Sequence, residues 1–432
     1  MRRTHLMAAF GAATAVTIGG WILGSGGAAG PDSTEVLVVD DDGTVSLVDT
    51  SDGSTRFRVD DAVVSRDRSS LFRTVDGVGS THIESRDAAN GDVTGLTTVA
   101  GDLAIRAVSP RAGAIALMEE RADGLALYEP IPRDVTSITV AYTDERPSQE
   151  FSLPGNYEVE TFSYDESVLY LLEFQPPTDP EYYLVRELNL ATGEVEGVKT
   201  PQVELRPEMR GVARSQQVAP DGRRLFTLYS IPSGDEPVHD VTTSVDSERW
   251  AFVHVLDLEQ GIDFCIFLPT PMGEAAEASV GLGLSPDGST LWVVDPSTSL
   301  VARIDTTDLA ITEVYEVPEL ENRRQRAEVT AADDGTVYIA LGPDIIELAP
   351  DTLALSGVWR SSGAGGLPVP VNALSISADS QVLFYGSEGR IVMISRATRE
   401  ELAVLEGPDG EDLTILGPPT GAAVQIPLSC AC

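Results

Sequence analysis

An aspartate stands five residues ahead of an aromatic at six places along this chain: Asp67 and Phe72, Asp165 and Tyr170, Asp221 and Phe226, Asp287 and Trp292, Asp333 and Tyr338, and Asp379 and Phe384. The last three aromatics are each 46 residues apart. A degraded copy, Ser109 to Leu117, falls between the first two with Ala116 in the aromatic's place. The most regular unit is Leu284 to Val317. Its short apolar or alternating runs are separated by Ser285-Pro286-Asp287-Gly288, Asp295-Pro296-Ser297 and Asp305 to Asp308. Asp and Ser bond their own backbone there, Gly allows positive φ and Pro fixes φ, so the unit reads as a four-stranded antiparallel meander. The Asp sits in the turn after the first strand and the aromatic on the second. Such a sheet cannot bury both faces alone and must stack on its own copies.

A second regularity follows the aromatics, in Val45 to Ser54, Leu184 to Val195, Phe252 to Gly261, Leu300 to Leu309 and Ile391 to Glu401, each a third strand running into a turn. Four-stranded blades repeated every 40 to 60 residues form an all-β, radial β-propeller of seven or eight blades. Counting second strands, with Glu35 to Val39 as the first, favours eight. The first unit lacks an innermost strand, and Leu413 to Leu416 is expected to supply it and close the ring. The propeller then fills residues 31–417, ahead of a tail, residues 418–432, that holds Cys430 and Cys432.

The run Leu291-Trp292-Val293-Val294-Asp295, followed by Ala302-Arg303-Ile304-Asp305-Thr306, resembles the YVTN-type propeller repeat, which is similar to WD-repeat and lactonase-like propellers. The resemblance is good in this unit, fair around Ala219 to Tyr229 and Asp333 to Leu348, and weak before Tyr164. It implies fold, not chemistry, because such propellers include both binding scaffolds and enzymes.

Residues 1–30 differ from the rest. Arg2 and Arg3 precede the uncharged Leu6 to Leu23 and then small residues, with Ala29 as a cleavage point. That order reads as an export signal, and the paired arginines resemble the twin-arginine type. The alternative is a retained single membrane anchor. Secretion, or residence in the cell envelope, follows.

The net charge is −39, and loss of the signal would make it about −41. Nucleic acid is excluded as a partner, whereas cations and basic partners are favoured. Of the 29 basic residues one is a lysine, Lys199. In an exported chain the cysteines 265, 430 and 432 predict one disulfide, either Cys265 with Cys430 or Cys432, or a strained Cys430–Cys432 pair, leaving one thiol over.

The histidines are His5, His82, His239 and His254. There is no G-x-S-x-G elbow, no H-E-x-x-H and no phosphate loop, so the usual hydrolase, metalloprotease and NTPase parts are missing. Ser285 to Trp292 resembles a sialidase Asp-box but has Ser289 for Gly and Leu291 for Thr. Asp40-Asp41-Asp42-Gly43 is a hairpin turn, since Val38 occupies the first calcium-ligand position and Asp49 the twelfth. Trp21, Trp250, Trp292 and Trp359 share no repeat position, unlike the tryptophans of a quinoprotein propeller.

Geometry supplies the remaining candidates. The first strand of each blade lines the channel, which nominates Arg106, Glu160, Arg214, Glu328 and Asn372 for a ligand, against the plainer reading that they solvate a pore. Two insertions on one face, Phe174 to Tyr182 and Ser230 to Arg249, add His239 and Asp240. A third, Glu129 to Glu150, is expected as a long edge hairpin. The leading expectation is a monomeric, non-enzymatic scaffold for a protein, glycan or small molecule, touching membrane only through a retained N-terminal segment. No cofactor is required, a divalent cation alone being left open. The alternative is a lactonase-like hydrolase in the channel, with Arg106, Glu160 and Arg214 converging on a loop histidine.

Overall fold

The computed structural model describes residues 35–406, apart from 41–42, 51–53, 67–68, 121–129, 202–207, 233–236, 241–246, 275–278, 321–324, 351, 363–366 and 378–379, together with Thr17–Ile18, Leu413–Ile415 and Val424–Ile426. No α-helix occurs among the described residues, and none of their helices is long and apolar enough to cross a membrane.

Eight antiparallel blades form the ring. Their first strands are Ala62–Val64 in blade 2, Leu103–Val108 in blade 3, Asn156–Phe162 in blade 4, Val212–Val218 in blade 5, Gly281–Leu284 in blade 6, Glu328–Ala331 in blade 7 and Ala373–Ile376 in blade 8. These strands meet their neighbours around the channel, and three more strands of each blade meander outward. Blade 1 begins with its second strand, Glu35–Asp40. Leu413–Ile415 pairs with that strand as its innermost neighbour, Val38 opposite Ile415 and Asp40 opposite Leu413, and so closes the ring. Thr17–Ile18, inside the expected signal, extends the same edge opposite Val36 and Glu35.

The local rules that build a blade are visible at the turns. Asp165 accepts hydrogen bonds from the hydroxyls of Ser163 and Ser167, each at 2.7 Å, and from the Ser167 amide at 3.1 Å. Asp287 repeats this with Ser285 and Ser289. These bonds hold the chain in its reversal between first and second strand. The Ser167 hydroxyl is the main cause that holds the Asp165 carboxyl below its usual range. In blade 7 the neighbouring Asp334, rather than Asp333, receives the equivalent amide, from Thr336 at 3.0 Å.

The repeated aromatics are all buried and all point the same way round the ring. Phe72 packs into the interface of blades 2 and 3, Tyr170 into that of 4 and 5, Phe226 of 5 and 6, Trp292 of 6 and 7, Tyr338 of 7 and 8, and Phe384 of 8 and 1. Blade 3 has Ala116 there, and Phe162 of blade 4 helps fill the space. The core is thus a circle of inter-blade clusters, each joining the facing sides of two sheets.

Two segments differ from the sequence reading. The stretch Glu129 to Glu150 contains blade 3's own third strand, Val135–Tyr142, and the start of its fourth, Gln149–Pro154, rather than an appended hairpin. Inside the expected tail, Val424–Ile426 forms a strand and gives blade 5 a fifth, innermost member.

Candidate functional site

Arg106, Glu160 and Arg214 lie on the first strands of three consecutive blades, each 54 residues after the last. Each is also the extra residue of a β-bulge. Ile105 and Ala107 stand opposite Leu117 and Ala116, Val159 and Thr161 opposite Leu171 and Tyr170, and Ala213 and Ser215 opposite Tyr229 and Leu228. An unpaired residue in one strand of a ladder bends that strand and re-aims the side chain. No such shift occurs in the first ladders of blades 2, 6, 7 and 8.

The three side chains take different courses. Arg106 Nη2 donates to the Glu119 carbonyl of its own blade at 2.8 Å, and Arg214 Nε to Ser230 Oγ at 2.6 Å. Glu160 is 6% exposed, and neither carboxylate oxygen receives a hydrogen bond from a described residue. Burial pushes its carboxyl up to about 7; Arg66 opposes the rise and Asp263 adds to it. Arg66, in the turn after blade 2's first strand, reaches across to hydrogen-bond Thr161 Oγ1, the next residue after Glu160. An enclosed carboxylate without donors is costly to ionise, and such groups mark candidate ligand sites.

Glu328 is on the first strand of blade 7, 3.2 Å from Arg326. Asn372 immediately precedes that of blade 8, and its backbone N–H donates to the Gly386 carbonyl. His239 and Asp240 are on a separate hairpin, opposite Glu248 and Ser247, in the insertion between the second and third strands of blade 5. Their side chains lie outside the description. Cys265 is on blade 5's outermost strand, and Cys430 and Cys432 lie outside the described residues.

Sequence reading overlooked Arg66 and a polar set at the entrance of blade 4. Arg133 Nη2 meets Glu158 Oε1 at 2.5 Å, Arg186 Nε meets Glu173 Oε2 at 2.5 Å, and Asn156 Nδ2 donates to the carbonyls of Ile131 and Pro177. The available signal was the alternation Asn156, Glu158, Glu160 along one strand. Blade 5 also carries a row across its sheet, buried at Gln216, Thr227 and His254 and half-buried at Cys265, each opposite the next. Gln216 Nε2 donates to Thr227 Oγ1 at 2.9 Å. His254 is 1% exposed with neither ring nitrogen hydrogen-bonded, and burial pushes it down to about 4, so it is a neutral imidazole beside the Tyr229 ring. Burial also pushes the Cys265 thiol up, with Asp263 adding to the rise. Among the described residues no group of three His, Cys, Asp or Glu is arranged to hold a metal ion.

No protein-family model matches the sequence, and no curated protein matches it. Its shape does have counterparts among solved structures. Dihydro-heme d1 dehydrogenase NirN in complex with DHE superposes with a TM-score of 0.54 at 13% identity, over 92% of this chain and 78% of that one. AztD from Citrobacter koseri gives 0.54 at 10% identity, over 88% and 97%. Its apo form gives 0.53 at 10% identity, over 92% and 99%. At such identities the likeness is one of fold alone. Blade count, strand order and these superpositions agree that the chain is an eight-bladed β-propeller.

Proposed function

We propose that this protein is an exported binding scaffold that takes a ligand at the channel wall of blades 3 to 5, around Arg106, Glu160 and Arg214. The observation that carries the reading is the run of three bulges. Successive blades depart from regular pairing at a polar residue each time, and bulges of this kind commonly re-aim side chains next to functional sites. Glu160 lacks a donor, so the favoured ligand brings one, as a sugar hydroxyl, an amide or a cation does. The acidic surface supports a neutral or cationic ligand over an anionic one. Export rests on residues 1–30, and membership of the YVTN-type repeats on Leu291 to Thr306. A signal cleaved after Ala29 makes Gly30 the first residue of the protein recovered outside the cytoplasm, which N-terminal sequencing reads directly.

The hydrolase alternative gains no support from a specific observation. Its loop histidine would have to be His239, because His254 is enclosed and His82 Nδ1 pairs with Thr98 Oγ1 at 2.8 Å on blade 2.

A thermal-shift screen of the protein from residue 30 onward, against calcium, other divalent cations, sugars and lactones with EDTA as control, tests the scaffold reading. A ligand at 100 times its Kd stabilises by about 2.7 kcal/mol through mass action. The expected result is a shift that disappears in Glu160→Gln and persists in His82→Ala. A shift that survives Glu160→Gln places the ligand elsewhere.

A further inference from the structure

Every blade of the ring is complete with four strands once Leu413–Ile415 has joined blade 1. Val424–Ile426 therefore completes nothing, yet it is paired. It runs antiparallel to blade 5's first strand, with Val218 opposite Val424, Gln217 opposite Gln425 and Gln216 opposite Ile426. Blade 5 stands four places round the ring from blade 1, so the C-terminal segment is next found on the far side of the channel from the strand that closes the ring.

Three observations say what this edge recognises. Gln216 and Gln217 are 3% and 2% exposed, and their side chains are committed sideways, Gln216 to Thr227 and Gln217 to the Leu282 carbonyl of blade 6 at 3.3 Å. What remains for the channel is the main-chain edge, the element that adds strands with little regard to side chain. The segment that occupies it is chemically distinct from the rest of the molecule, since residues 413–432 contain no Asp, Glu, Lys or Arg in a chain that is 22% charged. Pro427 follows at once, and the ladder is three residues long. So short a pairing scarcely offsets the entropy of ordering it, and it persists because the tether keeps its local concentration high.

We propose that the channel edge of blade 5, Gln216 to Val218, is a strand-accepting site for an extended, uncharged peptide, and that the chain's own Val424–Ile426 is its resident and displaceable occupant. This assignment does not depend on a ligand at Glu160.

The test uses the full chain with a protease recognition sequence inserted after Gly421, and a fluorescein-labelled peptide with the sequence of residues 420–429, which omits both terminal cysteines. After cleavage and removal of the released tail, fluorescence anisotropy should show the peptide binding at least tenfold more tightly than to the uncut chain. The same peptide N-methylated at its Val, Gln and Ile positions should not bind. A full-length Val424→Pro variant, which lacks the N–H that faces Val218, should take the peptide without any cleavage. Equal binding to cut and uncut chains, binding that survives N-methylation, or no binding to either the cut protein or Val424→Pro with the wild-type melting temperature retained would each overturn the proposal. Binding of the attached tail of an uncut second copy to the cut chain, seen as a dimer by light scattering, would support it as the same site filled in trans.

Discussion

Arg396 of blade 8 donates from Nε to the hydroxyl of Tyr338 in blade 7 at 2.7 Å, with its guanidinium carbon 5.5 Å from that ring's centroid. Its Nη2 meets the Asp334 carboxylate at 2.9 Å, and Nη1 takes the Ser380 carbonyl. One side chain thus fastens the repeat aromatic, the turn aspartate and the neighbouring turn of two blades. The arginine side chain is 13% exposed and Asp334 58% exposed, so the ion pair itself is largely screened. Arg396→Ala should still lower stability by about 1–3 kcal/mol, because Tyr338 and the Ser380 carbonyl lose their partner. Arg396→Lys should recover little of that, since a point charge cannot serve three directions. Urea denaturation of the two variants checks this, and full rescue by Lys would show that charge alone mattered.

Glu160 should make stability depend on pH. Its folded carboxyl sits at about 7, above the ordinary unfolded value of about 4.3. Below the unfolded value both states hold the proton and the group is neutral to stability. As pH rises toward 7 the unfolded chain releases the proton first, so stability falls, and the loss levels off above 7. Glu160→Gln should therefore gain on the wild type between pH 5 and pH 8 by roughly 3 kcal/mol at most. Parallel pH profiles of the urea midpoint decide the matter, and a Gln variant with the wild-type slope would assign the titration to another group.

The repeat made the fold legible. Asp165, Asp221 and Asp287 each receive the amide two residues on, as a turn with Asp at that place demands, and the buried aromatics follow from the spacing. The closing strand was readable for a related reason, as blade 1 visibly lacks a first strand. The bulges at Arg106, Glu160 and Arg214 were not, because a bulge is a mismatch between two strands and neither sequence alone contains it. Val424-Gln425-Ile426 was invisible as a strand. Three residues between Gly-Ala-Ala and Pro carry no usable alternation, and their partner lies about 200 residues earlier in the chain.

Gly281 and Gly283 set how closely blades 6 and 7 meet at the channel. A Cβ at Gly281 would lie 2.3 Å from the Ala327 carbonyl oxygen, and one at Gly283 2.6 Å from Val329 Cγ1. Backbone cannot retreat as a flexible side chain can, so Gly281→Ala should lower stability by about 2–3 kcal/mol through overpacking. Gly95→Ala is the control, with its nearest neighbour Ser85 Cβ at 3.6 Å, and should be neutral within about 0.5 kcal/mol. Equal midpoints for the two variants in guanidinium would mean that blade 7 moves aside freely.

Cys265 and Ile426 occupy opposite ends of one row across blade 5, through His254, Thr227 and Gln216. Four strand spacings separate them, about 19 Å. The direct line runs through the sheet itself, so a connection must pass over the strand ends. That adds about 7 Å or more along the inner strand and about 10 Å along the outer one, for a path of roughly 36 Å at the shorter end. Cys432 is six residues beyond Ile426, a reach of about 20 Å, to which a disulfide adds about 6 Å. Cys430 reaches less. A bridge from Cys265 to either terminal cysteine and a seated Val424–Ile426 therefore exclude one another. Peptide mapping of the monomer without reduction should find Cys265 unlinked to the tail. Recovery of a Cys265–Cys432 or Cys265–Cys430 peptide as the main species would mean that the strand has left the channel, and reducing that bridge should then be what allows it to return.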